Sequence, residues 1–198
     1  MSKSNTTCYL CGHGEFHVRK GAVRDAPSLK ILECAGCGLV TLSALEHIRS
    51  GHYEDSGMHG AQPPSIESWL HDTEQDDQRR FDMLKPMLAN RRVLDFGCGA
   101  AGFVRRAQAL TAEVAGIELE RRVHEYWGDK IKLHSDLQDA GKDYDIVTAF
   151  HVVEHLPDPR AMLKALASRF TPALTEAYGA SLAALGKCDT IIAHLEAE

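Results

Sequence analysis

The chain has 198 residues, 44% of them hydrophobic and 25% charged, which is enough to build one main domain and a smaller module. Its net charge of −6 argues against a nucleic-acid partner or an anionic membrane surface. No apolar run approaches the length of a membrane span and the first residues lack a secretory signal, so we expect a cytoplasmic protein. In a reducing compartment, the six cysteines favour metal binding over disulfides.

Four of these cysteines form two matched CxxCG pairs near the start of the chain. In each pair two thiolates can reach one metal across a tight turn, and the glycine relieves strain in that turn. Two such knuckles supply a closed structural Zn²⁺ site, and alternating stretches between them predict the hairpins of a zinc ribbon over residues 1–50. The alternative is four unliganded buried thiols. The predicted ligands are Cys8, Cys11, Cys34 and Cys37.

Residues 51–64 are rich in glycine, proline and histidine and are predicted to be a linker or a mobile loop. His52, Tyr53 and His59 either approach a substrate from there or are solvated. A helix is predicted next, since Ser65 or Ser68 can cap it and an apolar stripe runs from residue 66 to 88. We expect Pro86 to break or kink this helix near its end.

The stretch after that helix reads as a strand, a glycine turn and a second helix. The apolar run 93–96 stops at Asp95-x-Gly97-x-Gly99, and a helical pattern begins at Phe103. A second strand, 113–119, carries Glu118 at its end, where a carboxylate can accept the two hydroxyls of a ribose. The turn has neither the ending of a P-loop nor the GxGxxG spacing of nicotinamide enzymes. An ordinary turn without a ligand is the alternative.

This arrangement resembles motif I of the class I S-adenosylmethionine-dependent methyltransferases, with Ala101 at the third small position, where glycine is usual. The resemblance implies an α/β fold with a Rossmann-like sheet of strand order 3-2-1-4, a helix 66–88 covering the cofactor cleft, and S-adenosylmethionine as cofactor. It covers about residues 66–170. The implied cofactor-binding residues are Asp95, Gly97, Cys98, Gly99, Glu118, Leu119, Asp136, Leu137 and Phe150.

The βα alternation continues with a helix over 121–127 stopped by Gly128, and with strands over 130–134 and 143–150. In the enzymes that this chain resembles, an acidic residue after the third strand meets the adenine amino group and the next residue lies against the ring. Those roles pass to Asp136 and Leu137, although Asp136 could equally cap a helix. Asp158 and Pro159 predict the start of a helix over 160–169.

The segment 151–159 resembles the motif after strand four in methyltransferases of sugars, quinones and other small molecules. If the acceptor is a hydroxyl, a base must take its proton, and histidine has a suitable pKa for this near pH 7. His151 and His155 are therefore the candidate catalytic residues. His155 is preferred because Glu154-His155 matches the family, although His155 could instead only shape the loop.

Residues 171–198 depart from the family, because no Pro-Gly-Gly turn introduces a fifth strand. The pattern 174–185 is helical, and only 190–195 could form a late strand, so strands five to seven do not fit in their usual form. A divergent ending, a truncated or frame-altered product, and completion by a partner subunit all remain open. The predicted organisation is a ribbon over 1–50, a linker over 51–64, a methyltransferase core over 65–170 and a divergent helical tail.

The leading hypothesis is a methyltransferase acting on a small hydroxylated molecule such as a sugar or nucleotide-sugar. CxxCG knuckles joined to this core resemble bacterial methyltransferases of sugar and surface-polysaccharide pathways. A second hypothesis is a ribosomal RNA methyltransferase with a zinc module, although residues 1–60 carry equal numbers of basic and acidic side chains. A third is an inactive cofactor-binding protein that docks through its ribbon. The acceptor and the oligomeric state are left open.

Overall fold

The N-terminal part of the chain forms a small antiparallel sheet. The computed structural model describes residues 7–23, 26–44, 52–60 and 62–170. Strands β1 (Phe16–Arg19), β2 (Ile31–Cys34) and β3 (Val40–Leu42) pair in the order β1-β2-β3. We call residues 7–23 and 26–44 the ribbon. Within it, Cys8 and Cys34 are buried, whereas Val18 is 65% exposed.

The rest of the described chain is a parallel sheet with helices on both faces. Its sheet has the order β6-β5-β4-β7, which is third, second, first and fourth in chain order, so the predicted 3-2-1-4 sheet is confirmed. The strands are β4 (Arg92–Phe96), β5 (Glu113–Ile117), β6 (Lys132–His134) and β7 (Ile146–Thr148). The helices are α1 (Ile66–Leu88), α2 (Gly102–Ala107), α3 (Arg121–Trp127) and α4 (Pro159–Ala167). We call residues 66–170 the core.

Two apolar clusters hold this sheet, one on each face. Val93 belongs to the cluster that also contains Phe103 and Val123, whereas its neighbour Leu94 belongs to the cluster with Tyr144 and Leu166. Successive side chains of a strand point to opposite faces, so β4 contributes to both clusters. Burial on both faces explains why the sequence of β4 is a nearly continuous apolar run.

The predicted helix ends are confirmed in their local chemistry. The Ser65 hydroxyl accepts a hydrogen bond from the Ser68 backbone N–H (3.1 Å), and Asp158 accepts one from Ala161 (2.9 Å). Gly128 closes α3 with a φ of 51°. Pro86 lies inside α1, which ends two residues later at Leu88.

Three strands are shorter than predicted. The second strand of the core ends at Ile117 rather than at residue 119, and the other two differences have a backbone cause. The third strand of the core starts at Lys132 rather than at residue 130, because Gly128–Lys130 forms a 3-10 turn. The fourth spans Ile146–Thr148 rather than 143–150: Asp143 has a left-handed φ angle of 67°, and His151, just after the predicted end, has one of 55°. A left-handed residue cannot continue an extended strand.

After α4 the chain returns to the sheet. Phe170 forms a parallel bridge with Tyr144, just before β7, and the Tyr144 N–H donates to the Arg169 carbonyl (3.0 Å). The helical pattern over 174–185 and the possible strand over 190–195 lie outside the described residues. Among the residues that the structure describes, none of the helices combines the length and the apolar character needed to cross a membrane.

Candidate functional site

The four predicted metal ligands come together at one end of the ribbon. Their sulfur atoms all lie within 4.8 Å of one another, with Sγ–Sγ distances of 3.7 Å for Cys8 and Cys37 and 3.6 Å for Cys11 and Cys34. Four sulfurs bound tetrahedrally at about 2.3 Å from Zn²⁺ are about 3.8 Å apart. The donor set and its spacing therefore fit a structural zinc ion.

The two knuckles have the same backbone geometry. The Gly12 N–H donates to the Cys8 carbonyl (2.8 Å), and the Gly38 N–H donates to the Cys34 carbonyl (2.9 Å). Both glycines have left-handed φ angles, 78° and 75°. That conformation is open to glycine at no steric cost, which is the strain relief expected from the CxxCG pattern.

The turn after β4 is fastened to the end of β5. The N–H groups of Gly97 and Cys98 both donate to the Ile117 carbonyl, at 2.8 and 3.0 Å. Gly97 and Gly99 have φ angles of 72° and 55°, a left-handed conformation that glycine adopts without steric cost. The Trp127 indole donates to the Ala100 carbonyl (2.9 Å) and fixes the turn from α3.

Ala101, at the third small position of the motif, also has a left-handed backbone. Its φ is 63° and it is fully buried, so it bears a backbone cost of about 1 kcal/mol relative to glycine. The following residue, Gly102, opens α2 directly beneath the carboxylate of Asp77, which lies on α1. An anionic group near a helix N-terminus is favourable. Burial raises the pKa of Asp77, against the hydrogen bond from Thr73 and the charge of Arg80.

Glu118 is 8% exposed and lies beside the glycine turn. Its Oε2 accepts a hydrogen bond from the Gly99 N–H (2.8 Å), while Oε1 accepts from Leu119 (2.7 Å) and Glu120 (3.0 Å). Burial raises the pKa of Glu118, and these backbone donors oppose that shift. A carboxylate has about four acceptor sites, so Oε2 keeps one for a ligand hydroxyl.

Leu119 follows Glu118 and leaves 40% of its surface exposed. An exposed large apolar side chain beside a carboxylate suits the face of a planar heterocycle. The glycine turn, the available Oε2 and this apolar face all lie at the carboxyl ends of β4 and β5, the edge at which open α/β sheets bind ligands. The residues present therefore fit a nucleoside.

Asp95 lies beneath the turn rather than on its surface. It is 2% exposed, and Thr148 on β7 donates to its Oδ1 (2.6 Å). Burial raises the pKa of Asp95 to about 7. Burial also raises the pKa of the Cys98 thiol, whose sulfur packs against Gly116 of β5. Both side chains thus support the turn from within the protein.

The remaining predicted cofactor residues are less accessible than Leu119, except Asp136. The Asp136 carboxylate is exposed and accepts from the Gln138 N–H (2.7 Å), a turn rather than a helix cap. Leu137 is 9% exposed and belongs to the cluster around Tyr144. Phe150 is half-buried, edge-on to Phe103 with 5.5 Å between ring centroids.

Both candidate catalytic histidines lie in the exposed loop after β7. His151 has the left-handed φ noted above, and its Nδ1 is 3.5 Å from the Glu154 carboxylate. His155 ends a 3-10 helix, Val153–His155, and its ring centroid is 6.3 Å from that of Tyr53. The structure thus brings both imidazoles to the same sheet edge as the glycine turn.

The sequence reasoning missed a set of contacts between residues 52–60 and the core. Ser56 is buried and donates to the fully buried Glu120, and Arg122 contacts both. Residues 52–60 therefore contact the core and do not form a linker without contacts. The sequence near this contact has two acidic residues in Glu118-Leu-Glu120, but this pattern does not indicate Ser56 as a partner of Glu120.

A family model described as a methyltransferase domain matches residues 67–174, which is more than half of the 198 residues. The chain belongs to this methyltransferase family. A ubiquinone biosynthesis O-methyltransferase of Aromatoleum aromaticum is 36% identical over 98 residues, covering 43% of this chain and 42% of that protein. One of Idiomarina loihiensis is 34% identical over 100 residues, covering 43% and 40%. The chain spans about two fifths of the length of these curated relatives.

The chain is similar to solved methyltransferase structures, including these two. Magnesium protoporphyrin IX methyltransferase from Synechocystis PCC 6803, with bound S-adenosylmethionine, is 20% identical with a TM-score of 0.43, covering 60% of this chain and 68% of that one. An amino pentose methyltransferase from Micromonospora echinaspora is 25% identical with a TM-score of 0.40, covering 60% and 52%.

Proposed function

We propose that the protein is an S-adenosylmethionine-dependent methyltransferase that transfers a methyl group to a hydroxyl of a small molecule. The observation that carries the proposal is Glu118, whose carboxylate is held beside the glycine turn, with one hydrogen bond accepted by Oε2 and two by Oε1. Family membership and the relatives named as O-methyltransferases support the reaction type. When bound, the cofactor supplies an activated methyl group, so alignment is the main task of the protein.

Each cofactor-binding residue has a distinct part in this proposal. Glu118 accepts a ribose hydroxyl, and Leu119 lies against the adenine, with Asp136 near its amino group. Gly97 and Gly99 let the backbone pass close to the ligand. Four other residues support the site by packing beneath it, since the structure buries or half-buries them: Asp95, Cys98, Leu137 and Phe150.

The acceptor's proton is taken by a histidine of the loop after β7. An imidazole is suited to this step near pH 7, and His155 is the preferred base because Glu154-His155 matches the family motif. His151 is the second candidate, and its Nδ1 lies beside the carboxylate of Glu154 in the 3-10 helix. The four thiolates hold a structural Zn²⁺ in the ribbon, which forms a module separate from the core.

Titration with S-adenosylhomocysteine (SAH) tests the cofactor assignment. Replacing Glu118 by Ala is expected to weaken binding about tenfold or more, the loss of a charge-assisted hydrogen bond. Glu118→Gln keeps the volume of the side chain, so weaker binding by this variant cannot be attributed to a cavity that impairs folding. Glu125→Gln, on the exposed side of α3, is the control. Equal affinity for all four proteins would contradict the ribose assignment.

The acceptor class is tested by following label from methyl-labelled S-adenosylmethionine into two probes, a catechol and a nucleotide-sugar. Label in either product supports transfer to a hydroxyl, and the choice between the probes separates an aromatic from a sugar acceptor. His155→Asn should lower turnover at least about 100-fold and leave the affinity for SAH unchanged. Label only in RNA would favour the RNA hypothesis, and turnover by His155→Asn at the original rate would exclude His155 as the base.

A further inference from the structure

Residues 52–60, which we call the strap, contact the turns after β5 and β7 at the carboxyl edge of the core sheet. They also contact Trp69 of α1, which covers the turn after β4. If the cofactor binds at this edge, as the proposed function holds, the strap lies across its binding cleft.

The central contact of the strap is buried and charged. The Ser56 hydroxyl donates to Glu120 Oε1, and Ser56 and Glu120 are 6% and 0% exposed. Arg122 Nε lies 2.7 Å from both that carboxylate oxygen and the Ser56 hydroxyl. We call Ser56, Glu120 and Arg122 the clasp.

The chain on either side of Ser56 is fastened to the same helix. Arg122 Nη1 donates to the Pro64 carbonyl (2.8 Å), and the Arg121 N–H donates to the Glu54 carbonyl (3.2 Å). Arg121 also forms an ion pair with Asp55. The start of α3 thus holds the strap and the chain that leads from it to α1.

The clasp is joined directly to the proposed ribose site. The backbone N–H of Glu120 donates to Glu118 Oε1 (3.0 Å), while the Glu120 side chain holds the strap. One residue therefore links the strap to the carboxylate that faces the ligand. A movement of the strap that displaces Glu120 must also disturb Glu118.

The two ends of the strap reach Trp69 of α1 and the turn after β7. The His59 ring lies edge-on to Trp69, with 4.6 Å between centroids. Trp69 covers Gly99, because its Cζ2 would lie 3.2 Å from a Cβ at that position. At the other end, Tyr53 lies beside His155.

We propose that the strap is the outer wall of the cofactor cleft and that Glu120 is the positioning residue that holds it there. A buried carboxylate that loses its partners is costly, so the clasp favours the closed strap. A cofactor that contacts the closed strap binds that state more tightly and raises its population. Closure of the strap and binding of the cofactor therefore stabilise each other.

The test combines SAH binding kinetics with hydrogen exchange of residues 52–60. In the unchanged protein, SAH slows exchange in the strap. Ser56→Ala removes one donor of the clasp, speeds exchange in the strap, and raises the dissociation rate and Kd of SAH at least about fivefold. Glu120→Gln has a larger effect on both, and Ser56→Thr, which keeps the hydroxyl, restores tight binding. Glu125→Gln serves again as the control on α3.

Three outcomes separate this inference from the proposed function. SAH binding with no protection of the strap, or with equal dissociation rates for Ser56→Ala and the unchanged protein, overturns the inference and leaves the proposed function standing. Loss of binding in Ser56→Ala, together with loss of the core's melting transition, assigns the clasp to folding and also overturns it. No SAH binding by the folded, unchanged protein overturns both.

Discussion

The ribbon and the core both hold short strands together, but they do so by different means. Among the described residues of the ribbon, the buried apolar side chains are Cys8 and Cys34, and Leu10 and Val40 are about 40% exposed. The core buries an apolar cluster on each face of its sheet, with Leu88, Val93 and Phe103 at 0–1% exposure. The ribbon therefore depends on its four sulfurs, whereas packing suffices for the core.

The two regions also differ in how far the local sequence determines their structure. In the ribbon, two CxxCG pairs fix the ligands and the turns together, because both lie within five residues. In the core, the turn after β4 depends on residues far away in the sequence, including Asp77, Trp127 and Thr148. Four predictions test this comparison.

Removal of the proposed zinc ion has the largest expected effect. A structural Zn²⁺ contributes about 10–16 kcal/mol to the folding of a small module, so a strong chelator should unfold the ribbon. Hydrogen exchange in β1, β2 and β3 is then expected to become fast, while β4 and β5 stay protected. Cys34→Ser should give the same result without chelator, and Cys98→Ser, outside the cluster, should keep one equivalent of zinc. Persistent protection of β1–β3 without metal would show that packing holds the ribbon.

Gly102→Ala tests how tightly the core is packed. A Cβ at position 102 would lie 2.1 Å from Asp77 Oδ2, and Thr73 and Arg80 hold that carboxylate in place. Overpacking of this kind costs about 1–3 kcal/mol of the free energy of unfolding, which urea titration measures. Adding Asp77→Ala in the same chain should recover part of the loss. Strictly additive losses would mean that the two residues do not meet.

Asp95 makes the stability of the core depend on pH. Its pKa is about 7 in the folded protein and 3.8 ordinarily, so the folded state binds the proton more tightly. The resulting stabilisation is complete below pH 4 and is lost as the pH rises to about 7, by at most about 1.4 kcal/mol per pH unit. Between pH 4 and 7, urea titrations should show that Asp95→Asn gains stability relative to the unchanged protein. Parallel stability curves would contradict the raised pKa.

Arg160→Ala is expected to have the smallest effect. This exposed side chain on α4 donates to the Leu10 carbonyl (3.2 Å) and more weakly to that of Tyr9 (3.4 Å), which joins the core to the first knuckle. Loss of these hydrogen bonds should lower the free energy of unfolding by at most about 1 kcal/mol and leave the zinc content unchanged. Faster hydrogen exchange near Leu10, with an unaltered melting transition of the core, would confirm this prediction. A large drop in core stability would mean that ribbon and core fold as one unit.

Local sequence was sufficient to predict the features that a short pattern of neighbouring residues determines. The Ser65 and Asp158 caps, the stop at Gly128 and the cysteine cluster all follow from residues close in sequence. The strand order followed from the family resemblance rather than from periodicity. Strand lengths were less accurate, because Asp143 is left-handed and no local pattern indicated this.

The contacts missed by the sequence analysis join residues far apart in the chain. Ser56 and Glu120 are 64 positions apart, and a polar residue in a stretch rich in glycine and proline looks like part of a solvated linker. The middle of α1 is acidic, and the sequence pattern names no partner for these charges. In the fold, Glu74 pairs with Arg106 of α2 and Asp77 lies at the start of that helix. Only a fold places such charges together, so hydrophobic patterning could not reveal them.

The most direct test of this account is a calorimetric titration of the zinc-loaded, unchanged protein with SAH. The account predicts one site per chain with micromolar affinity, since Glu118, Leu119 and the glycine turn already lie together at the carboxyl edge of the sheet. Absence of binding by a protein that melts cooperatively would contradict it, and would favour an interaction protein built on a methyltransferase fold.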